Sequence, residues 1–566
     1  MPGLKNQIEL APCLFPDDPI FSQLRRFSKE VPGNVIHDEY GSIDASYDDL
    51  INDVIHLRQV LQRRLPDTSF DERGILQDHA TSIAFLGFSG YNFIISFLAI
   101  AALGGNCVPL KPGIALEKTT YFLNKSDATC VLTEAETLDY AEATREYIKA
   151  QSRQELDTIL ISRATSWPKG YAGLELSEYL SLPPCTGCLV LFTSGTLGQP
   201  KGAILPRQLF YFTEGQEDPT NFYLASSPIH WIGGAMGLLI SVLNGERMHI
   251  MKSESGPEQF WEILKDGKIT IMSLPPRRLR AMMEYYNDNI RDFSPQERDK
   301  YVNGLRSLHT VLPSGAMLNP SARKFFKDLV NMPIKNGYGI TEMGGGVMIT
   351  PDGWESLERC IGTPLPGFSV KLSDGDRGEL LVKSDSMFVG YINDEERTRK
   401  AFDDEGFYKT GDYVHRIGDK YFFDGRVSSD WIPVYDKKVP ILAVEQCLMN
   451  LPYISEAHIL PVLDHEASGV VAALVRPRKR KTTGEEYERI TLQKIREDLT
   501  AAKMSWYKLP TLLRVLQDDE EVPMTASDKI LKQESLRKYF QISGYMPEGY
   551  AVDGVEYCGN KALSTK

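Results

Sequence analysis

The chain has 566 residues, too many for one hydrophobic core, so two or more domains are expected. A composition of 42% apolar, 25% charged and 10% aromatic residues is that of a folded globular protein and excludes bulk disorder. The formal net charge of −13 excludes a dedicated nucleic-acid binder, although one lysine among backbone amides can still meet a phosphate.

The opening MPGLKNQIEL lacks a basic start leading into an apolar core, so no secretory signal is expected. Residues 82–86 (SIAFL) read as a strand. The run 91–105 is apolar over about a dozen residues, short of the roughly 20 that cross a bilayer. It predicts no transmembrane segment but a helix buried on all sides, closed by Gly104-Gly105 and followed by a strand at 107–110. Further strand-like runs lie at 129–132, 158–161, 189–192, 203–205, 270–274 and 310–312, with helix-like patterns between them. That alternation predicts an α/β fold with layered, mainly parallel sheets.

From Gly378 to Arg426 short strands joined by Gly- and Asp-rich turns predict a small β-rich subdomain. Ser428-Ser429-Asp430 reads as a linker, and an α+β pattern follows: a helix near 442–451, strands near 457–462 and 469–475, and a helix at 531–540. The expected division is 1–428 and 429–566. The basic run 476–481 reads as a solvated loop. The eight cysteines are scattered, and only Cys185-Thr186-Gly187-Cys188 forms a close pair. No second pair or histidine set matches it, so no zinc site is expected, and reduced thiols in a cytoplasmic setting fit better than a redox pair. The terminal LSTK is not a peroxisomal tripeptide.

Between the strands at 189–192 and 203–205, Thr193-Ser194-Gly195-Thr196-Leu197-Gly198-Gln199-Pro200-Lys201-Gly202 has almost nothing to bury. Glycines let backbone N–H groups approach a ligand, and hydroxyls with a lysine suit phosphate oxygens. The common P-loop is excluded, because Lys201 stands between Pro200 and Gly202 and a strand, not a helix, comes next. Alone, the stretch could still be a polar hairpin. It is accompanied by Pro313-Ser314-Gly315-Ala316, by Asn336-Gly337-Tyr338-Gly339-Ile340-Thr341-Glu342, by Tyr408-Lys409-Thr410-Gly411-Asp412, by Gly425-Arg426, and by Asp528-Lys529-Ile530 in a polar turn before the last helix.

In this order and spacing, over residues 86–538, the chain resembles the adenylate-forming enzymes: acyl- and aryl-CoA ligases, adenylation domains and beetle luciferases. The resemblance implies a large N-terminal domain, a small mobile C-terminal domain and a site between them. By position it implies that Thr193, Ser194, Gly195, Thr196 and Lys201 cradle the β- and γ-phosphates of ATP. Thr341 would contact the α-phosphate, and Glu342 would hold Mg²⁺. Tyr338, with Gly339 beside it, would stack on adenine against Gly315 and Ala316. Asp412 would take the ribose hydroxyls with Arg426 close by, and Lys529 would reach in from the small domain as a catalytic cation.

Ser227-Pro228-Ile229-His230-Trp231-Ile232-Gly233-Gly234 is similar to the segment that lines the acyl site in acyl- and aryl-CoA ligases, with the proline displaced by one position. The implied pocket residues are His230, Trp231, Gly234, Met343, Gly344, Gly345 and Gly346, with His230 lining or gating and the three glycines leaving room for a long or ring-bearing acid. No aspartate stands in this segment to pair with an α-ammonium, and an unpaired ammonium in an apolar pocket is costly. The expected substrate is a small carboxylic acid lacking an α-amine.

Three departures from the family pattern stand out. Leu197 replaces a hydroxyl residue, and Asp528 replaces the glycine before the catalytic lysine. After Arg426, Pro433 and Asp436 occupy the lysine and glycine positions of a loop used in thioester formation. Proline removes a cation and a backbone N–H there, with Lys437 and Lys438 as candidate replacements. The expected activity is formation of acyl-AMP and pyrophosphate, then transfer to a thiol, with coenzyme A as acceptor. The alternatives are transfer to a carrier protein's phosphopantetheine, a nucleotide-binding regulatory subunit without turnover, and a luciferase-like oxygenase. The altered loop suits specialised metabolism.

Overall fold

The computed structural model describes residues 13–77, 81–152, 155–162, 174–193, 199–211, 218–318, 320–332, 334–354, 357–426, 430–478, 489–517, 519–524 and 530–558. Two parallel-dominated sheets form the frame. In the first, of seven strands, Asp157–Leu160, Cys130–Thr133, Ser82–Leu86, Asn106–Leu110 and Gly187–Thr193 run parallel. The second, of six strands, aligns Thr310–Pro313, Ile271–Leu274, Phe222–Ala225, Arg247–Ile250 and Ile36–Asp38 in parallel, with Ile43–Ala45 as an antiparallel edge. Central strands of the first sheet, such as Ser82–Leu86 and Asn106–Leu110, are buried along their whole length, as in a parallel sheet covered on both faces.

The apolar stretch expected to be a buried helix is one, Tyr91–Ala102, with every side chain but Asn92 buried. Its N-terminus has no side-chain cap of its own. Instead Asp38, at the end of a second-sheet strand, accepts from Tyr91 N at 2.7 Å. Gly90 is required at this joint, since a Cβ there would come within 2.5 Å of Asp38 Oδ2. Arg207 and Asp18, both fully buried, pair at 2.7 Å and tie the first helix to the end of the glycine-rich hairpin. Such a pair fixes geometry more than it adds stability.

The β-rich subdomain is a seven-stranded sheet, all of its pairings antiparallel, which also includes Gly337–Ile340 and Gly345–Ile349. Its region thus begins earlier than the sequence texture indicates. The C-terminal part holds the hairpin Trp431–Val434 with Lys437–Pro440, the helix Ile441–Met449, and a four-stranded sheet in which Ile454–Asp464 pairs with Ser468–Pro477. The expected last helix is split: one α turn at Lys532–Ser535 continues as a π-helical turn, Leu536–Phe540.

One expectation needs correction. Arg476 of the basic run ends a strand and is fixed by Glu456 at 2.7 Å and by the Gln517 and Glu520 carbonyls, so the described start of that run is no solvated loop; residues 479–481 lie outside the described residues. Cys188 is buried inside a strand while Cys185 is exposed. Arg280 joins the two parts of the chain. It pairs with Glu284, donates to the Met449 carbonyl at 2.8 Å and also bonds the Ile454 carbonyl.

Candidate active site

The glycine-rich loop hangs between antiparallel strands Gly187–Thr193 and Lys201–Pro206, whose register places Thr193 opposite Lys201. Ser194, Gly195, Thr196 and Leu197 lie outside the described residues. Lys201 Nζ is 3.2 Å from Glu342 Oε1, bonds the Tyr391 hydroxyl, and lies 4.3 Å from the centre of the Tyr391 ring. Glu342 stands in a 3₁₀ turn, Thr341–Met343, directly after the strand Gly337–Ile340. The Tyr391 hydroxyl donates to Glu342 at 2.7 Å and lies 3.0 Å from the Tyr408 hydroxyl. Burial alone would push the Glu342 carboxyl up. The Lys201 ammonium and bonds from Tyr391 and Tyr408 outweigh it and hold the group below its usual range, hence ionised.

Tyr391 and Tyr408 are residues for which the sequence suggested no role. Tyr391 occupies a two-residue strand paired to the Lys201 strand, which is why its hydroxyl reaches both charges.

A second carboxylate site lies in the β-rich sheet. Asp412 and Arg426 face each other in register on neighbouring strands, and Arg426 Nε sits 3.0 Å from Asp412 Oδ1. The Tyr338 hydroxyl donates to Asp412 Oδ2 at 2.6 Å. Gly411 adopts φ +72°, which shapes the turn before Asp412, and its N–H donates to Glu379 at 2.8 Å. Gly315, at φ +80°, and Ala316 form an exposed turn. The structure therefore brings together Lys201 with Glu342, and Tyr338 with Asp412 and Arg426.

The pocket glycines divide. Gly344 is left-handed at φ +74°, and a Cβ there would lie 2.3 Å from Leu209, so it serves the turn and the packing. Gly339 lies against the Gly345 carbonyl in the same hairpin. Gly345 and Gly346 do border space: a Cβ would meet only Ile232 at 3.9 Å or Leu365 at 3.6 Å. Gly234 admits the close approach of its helix to the Pro228 carbonyl, where a Cβ would lie within 2.1 Å. Met343 is buried, whereas His230 and Trp231 are half-buried and meet edge-to-face at 5.9 Å.

His230 and Trp231 form one wall of a cavity of about 330 Å³ at the C-terminal ends of strands from both parallel sheets. Another wall is the loop at Phe88, whose N–H donates to the buried Glu134 carboxylate at 2.7 Å. Burial pushes the Glu134 carboxyl from 4.5 up to about 7. A folded-state pKa above the unfolded value stabilises fully below pH 4.5, and that contribution is lost as pH rises through about 7. The difference corresponds to about 3 kcal/mol. Glu134→Gln is expected to flatten the fall in unfolding free energy between about pH 5 and about pH 8. Denaturant titrations at both pH values check this, and an unaltered slope would assign the fall to another group.

Lys529 and Asp528 lie outside the described residues. The residues flanking them, Met524 and Ile530, form a β-bridge, and Lys532 binds Asp430 at 3.1 Å. Asp430 also accepts from Arg426 N at 3.1 Å, which links the start of the C-terminal part to the Asp412 site. In the altered hairpin Pro433 pairs with Lys438, Tyr435 is left-handed at φ +53°, and Asp436 is exposed and bound to Lys437 at 2.7 Å.

The model of the AMP-binding enzyme family matches residues 70–392. An acyl-CoA ligase of Aspergillus oryzae, oryP, is 33% identical over 555 residues, 97% of each chain. The chain belongs to the AMP-binding enzyme family. It is a member of the adenylate-forming superfamily and an AMP-forming acid–thiol ligase. Human mitochondrial malonate–CoA ligase ACSF3 is 25% identical over 505 residues, 81% of this chain and 83% of its own. The fold matches the anthranilate CoA ligase AuaEII in complex with anthranoyl-AMP, with TM-score 0.73 and 18% identity over 92% of this chain and 97% of that one. It also matches the o-succinylbenzoate CoA synthetase of Bacillus subtilis with its acyl-adenylate, with TM-score 0.72 and 18% identity over 90% and 96%. These structures share the large N-terminal and smaller C-terminal domains expected here. No helix among the described residues is long and apolar enough to cross a membrane.

Proposed function

We propose that this chain joins a carboxylic acid lacking an α-amine to coenzyme A through an acyl-AMP intermediate, with residues 1–428 binding ATP and acid and 429–566 carrying Lys529. The observation that carries the reading is the pair of built carboxylate sites, Glu342 with Lys201 and Asp412 with Arg426, set at the two motifs that would flank a nucleotide. In the first half-reaction a substrate carboxylate oxygen bonds the α-phosphorus, and the α–β bridging bond breaks to release pyrophosphate. In the second, the thiol sulfur bonds the acyl carbon, the acyl–AMP bond breaks, and the thiol proton leaves to solvent.

Both reacting partners are anionic in the first step, so alignment and charge neutralisation supply the rate. Asp412 would take the ribose hydroxyls, with Tyr338 and Arg426 fixing its orientation. Lys201 would exchange Glu342 for phosphate oxygens, its position set by the Tyr391 ring and hydroxyl. Thr341 would meet the α-phosphate, and Lys529 would act on the same group as the catalytic cation of the C-terminal part. Mg²⁺ suits the donor at hand, because Glu342 is held ionised and Mg²⁺ commonly takes one or two carboxylates with phosphate oxygens. Held by Glu342, it would supply neutralisation of phosphate charge. An α-ammonium would meet Arg277 and Arg278 across the cavity beside His230, a repulsion that supports an acid without one.

The test is mass spectrometry of the protein with ATP, Mg²⁺ and a panel of carboxylic acids, with and without coenzyme A. Acyl-AMP without the thiol and acyl-CoA with it are expected. Acyl-AMP that persists after coenzyme A is added would move the second half-reaction to a carrier protein and direct attention to the loop holding Pro433 and Asp436. No adenylate from any acid would overturn the proposal. Lys529→Ala is expected to slow adenylation by about two orders of magnitude or more while nucleotide affinity stays near wild type. Near-normal acyl-AMP formation by that variant would remove Lys529 from the chemistry.

A further inference from the structure

We propose that the cavity beside His230 and Trp231 is an anion subsite, in which Arg278, with Arg277 and Lys111, holds a negatively charged group carried by one of the ligase's reactants. The inference rests on the ligase reading and adds to it a specificity site outside the nucleotide motifs.

Arg278 is the centre of the argument. One terminal nitrogen, Nη2, donates to the Ser253 carbonyl, while Nη1 is shut off from water and has no hydrogen-bond partner among the described residues. A buried guanidinium N–H without an acceptor is costly, and a ligand anion is the acceptor that would relieve it. Arg277 stands beside it on the cavity wall, and Lys111 brings a further cation from the end of the strand Asn106–Leu110. The one carboxylate on the lining is Glu254, which is exposed and lies 3.5 Å from the Tyr40 hydroxyl.

The placement of these charges works against the fold. Arg277 and Arg278 occupy the first turn of the helix Pro276–Tyr285, which has no acidic residue in that turn and no side-chain cap. Helix dipoles already concentrate positive charge there, so cations are disfavoured. Burial and the neighbouring Arg277 charge depress the Arg278 pKa, as expected of a guanidinium short of anionic partners. Two cations at a helix N-terminus, with one Arg278 nitrogen left without an acceptor among the described residues, point to a ligand anion.

A guanidinium with a free edge recognises carboxylate or phosphate oxygens. Two reactants offer such a group: the distal carboxylate of a dicarboxylic acid, and the diphosphate of coenzyme A. The test compares wild type, Arg278→Met, Arg278→Lys and Arg277→Met. Each is titrated calorimetrically, without turnover, with mono- and dicarboxylic acids of matched chain length, and with coenzyme A against pantetheine. Pyrophosphate release and thioester formation are then measured with the same ligands.

In Arg278→Met, affinity for one charged ligand is expected to fall about tenfold to a hundredfold, with its uncharged counterpart unaffected and Arg278→Lys partly restored. A loss confined to dicarboxylic acids assigns the subsite to the acid. A loss confined to coenzyme A assigns it to the acceptor. Arg277→Met, at an exposed position that does not endanger folding, is expected to give the same pattern more weakly. Equal changes across all ligands, or none, would overturn the subsite while leaving the ligase intact. Failure of the ligase reading looks different, since wild type would then release no pyrophosphate with any acid.

Discussion

Glu342→Gln is expected to slow acyl-AMP formation by about two to three orders of magnitude while leaving the protein folded. Glutamine keeps the shape of the side chain and an oxygen for the Tyr391 hydroxyl, which now donates to Glu342 at 2.7 Å. What it removes is the negative charge that Lys201 meets at 3.2 Å. Lys201 remains partly exposed, at 23%, and can turn toward solvent, so stability changes little. The proposed metal position loses its one ionised ligand, and the alignment of phosphate oxygens goes with it. Nucleotide titration and single-turnover adenylation, measured together, check this. A variant that adenylates at wild-type rate would show that the carboxylate serves the resting structure and not the reaction.

The charge network at Glu342 shows which parts of a site a sequence discloses. The loop lysine and the carboxylate were readable because each sits in a compact motif of small residues that has no packing use. Tyr391 was not, since its two-residue strand carries no pattern and reaches the site through an edge pairing. Tyr408 could have been found. In the strand Tyr408–Ile417, residues 408, 410 and 412 share a face, and all three are buried, so a tyrosine two pairs before a functional aspartate belongs to the same side. The Gly344-Gly345-Gly346 run misled in part, because absent side chains signal either room or a strained turn, and only φ and neighbouring atoms distinguish them. The Arg278 cluster was invisible for a different reason. Lys111 follows a strand of the first sheet and Arg277 opens the helix after a strand of the second, and only the packing of the two sheets brings them to one cavity.

The layering of the fold was readable from the alternation of apolar runs with helical patterns, whereas the sheet partners were not. Gly337–Ile340 and Gly345–Ile349 follow a parallel sheet in sequence yet join the antiparallel one. Consequently Glu342 and Tyr338 leave one layer while Lys201 stays in the other. The site spans both, and its geometry depends on their packing.

Asp412→Ala is expected to be costly twice over, in stability and in nucleotide affinity. In the folded protein Asp412 is buried, accepts from Tyr338 at 2.6 Å and faces Arg426 at 3.0 Å. Burial disfavours the charge on Arg426, and Asp412, acting together with Tyr338, Asp430 and Tyr408, more than offsets that effect. Removing one partner of a fully buried pair costs about 3–5 kcal/mol. Arg426 keeps 30% exposure, so water recovers part of its charge and the loss falls nearer to about 2–3 kcal/mol. The Tyr338 hydroxyl, left without its acceptor, belongs to the same total. Asp412→Asn preserves that acceptor and is expected to be milder in stability yet still weak for nucleotide, since an amide cannot accept from two ribose hydroxyls at both of its atoms. Denaturant unfolding and ATP titration of the two variants separate the effects. If the alanine variant bound ATP as wild type does, Asp412 would be a structural anchor for Arg426 and the ribose would lie elsewhere.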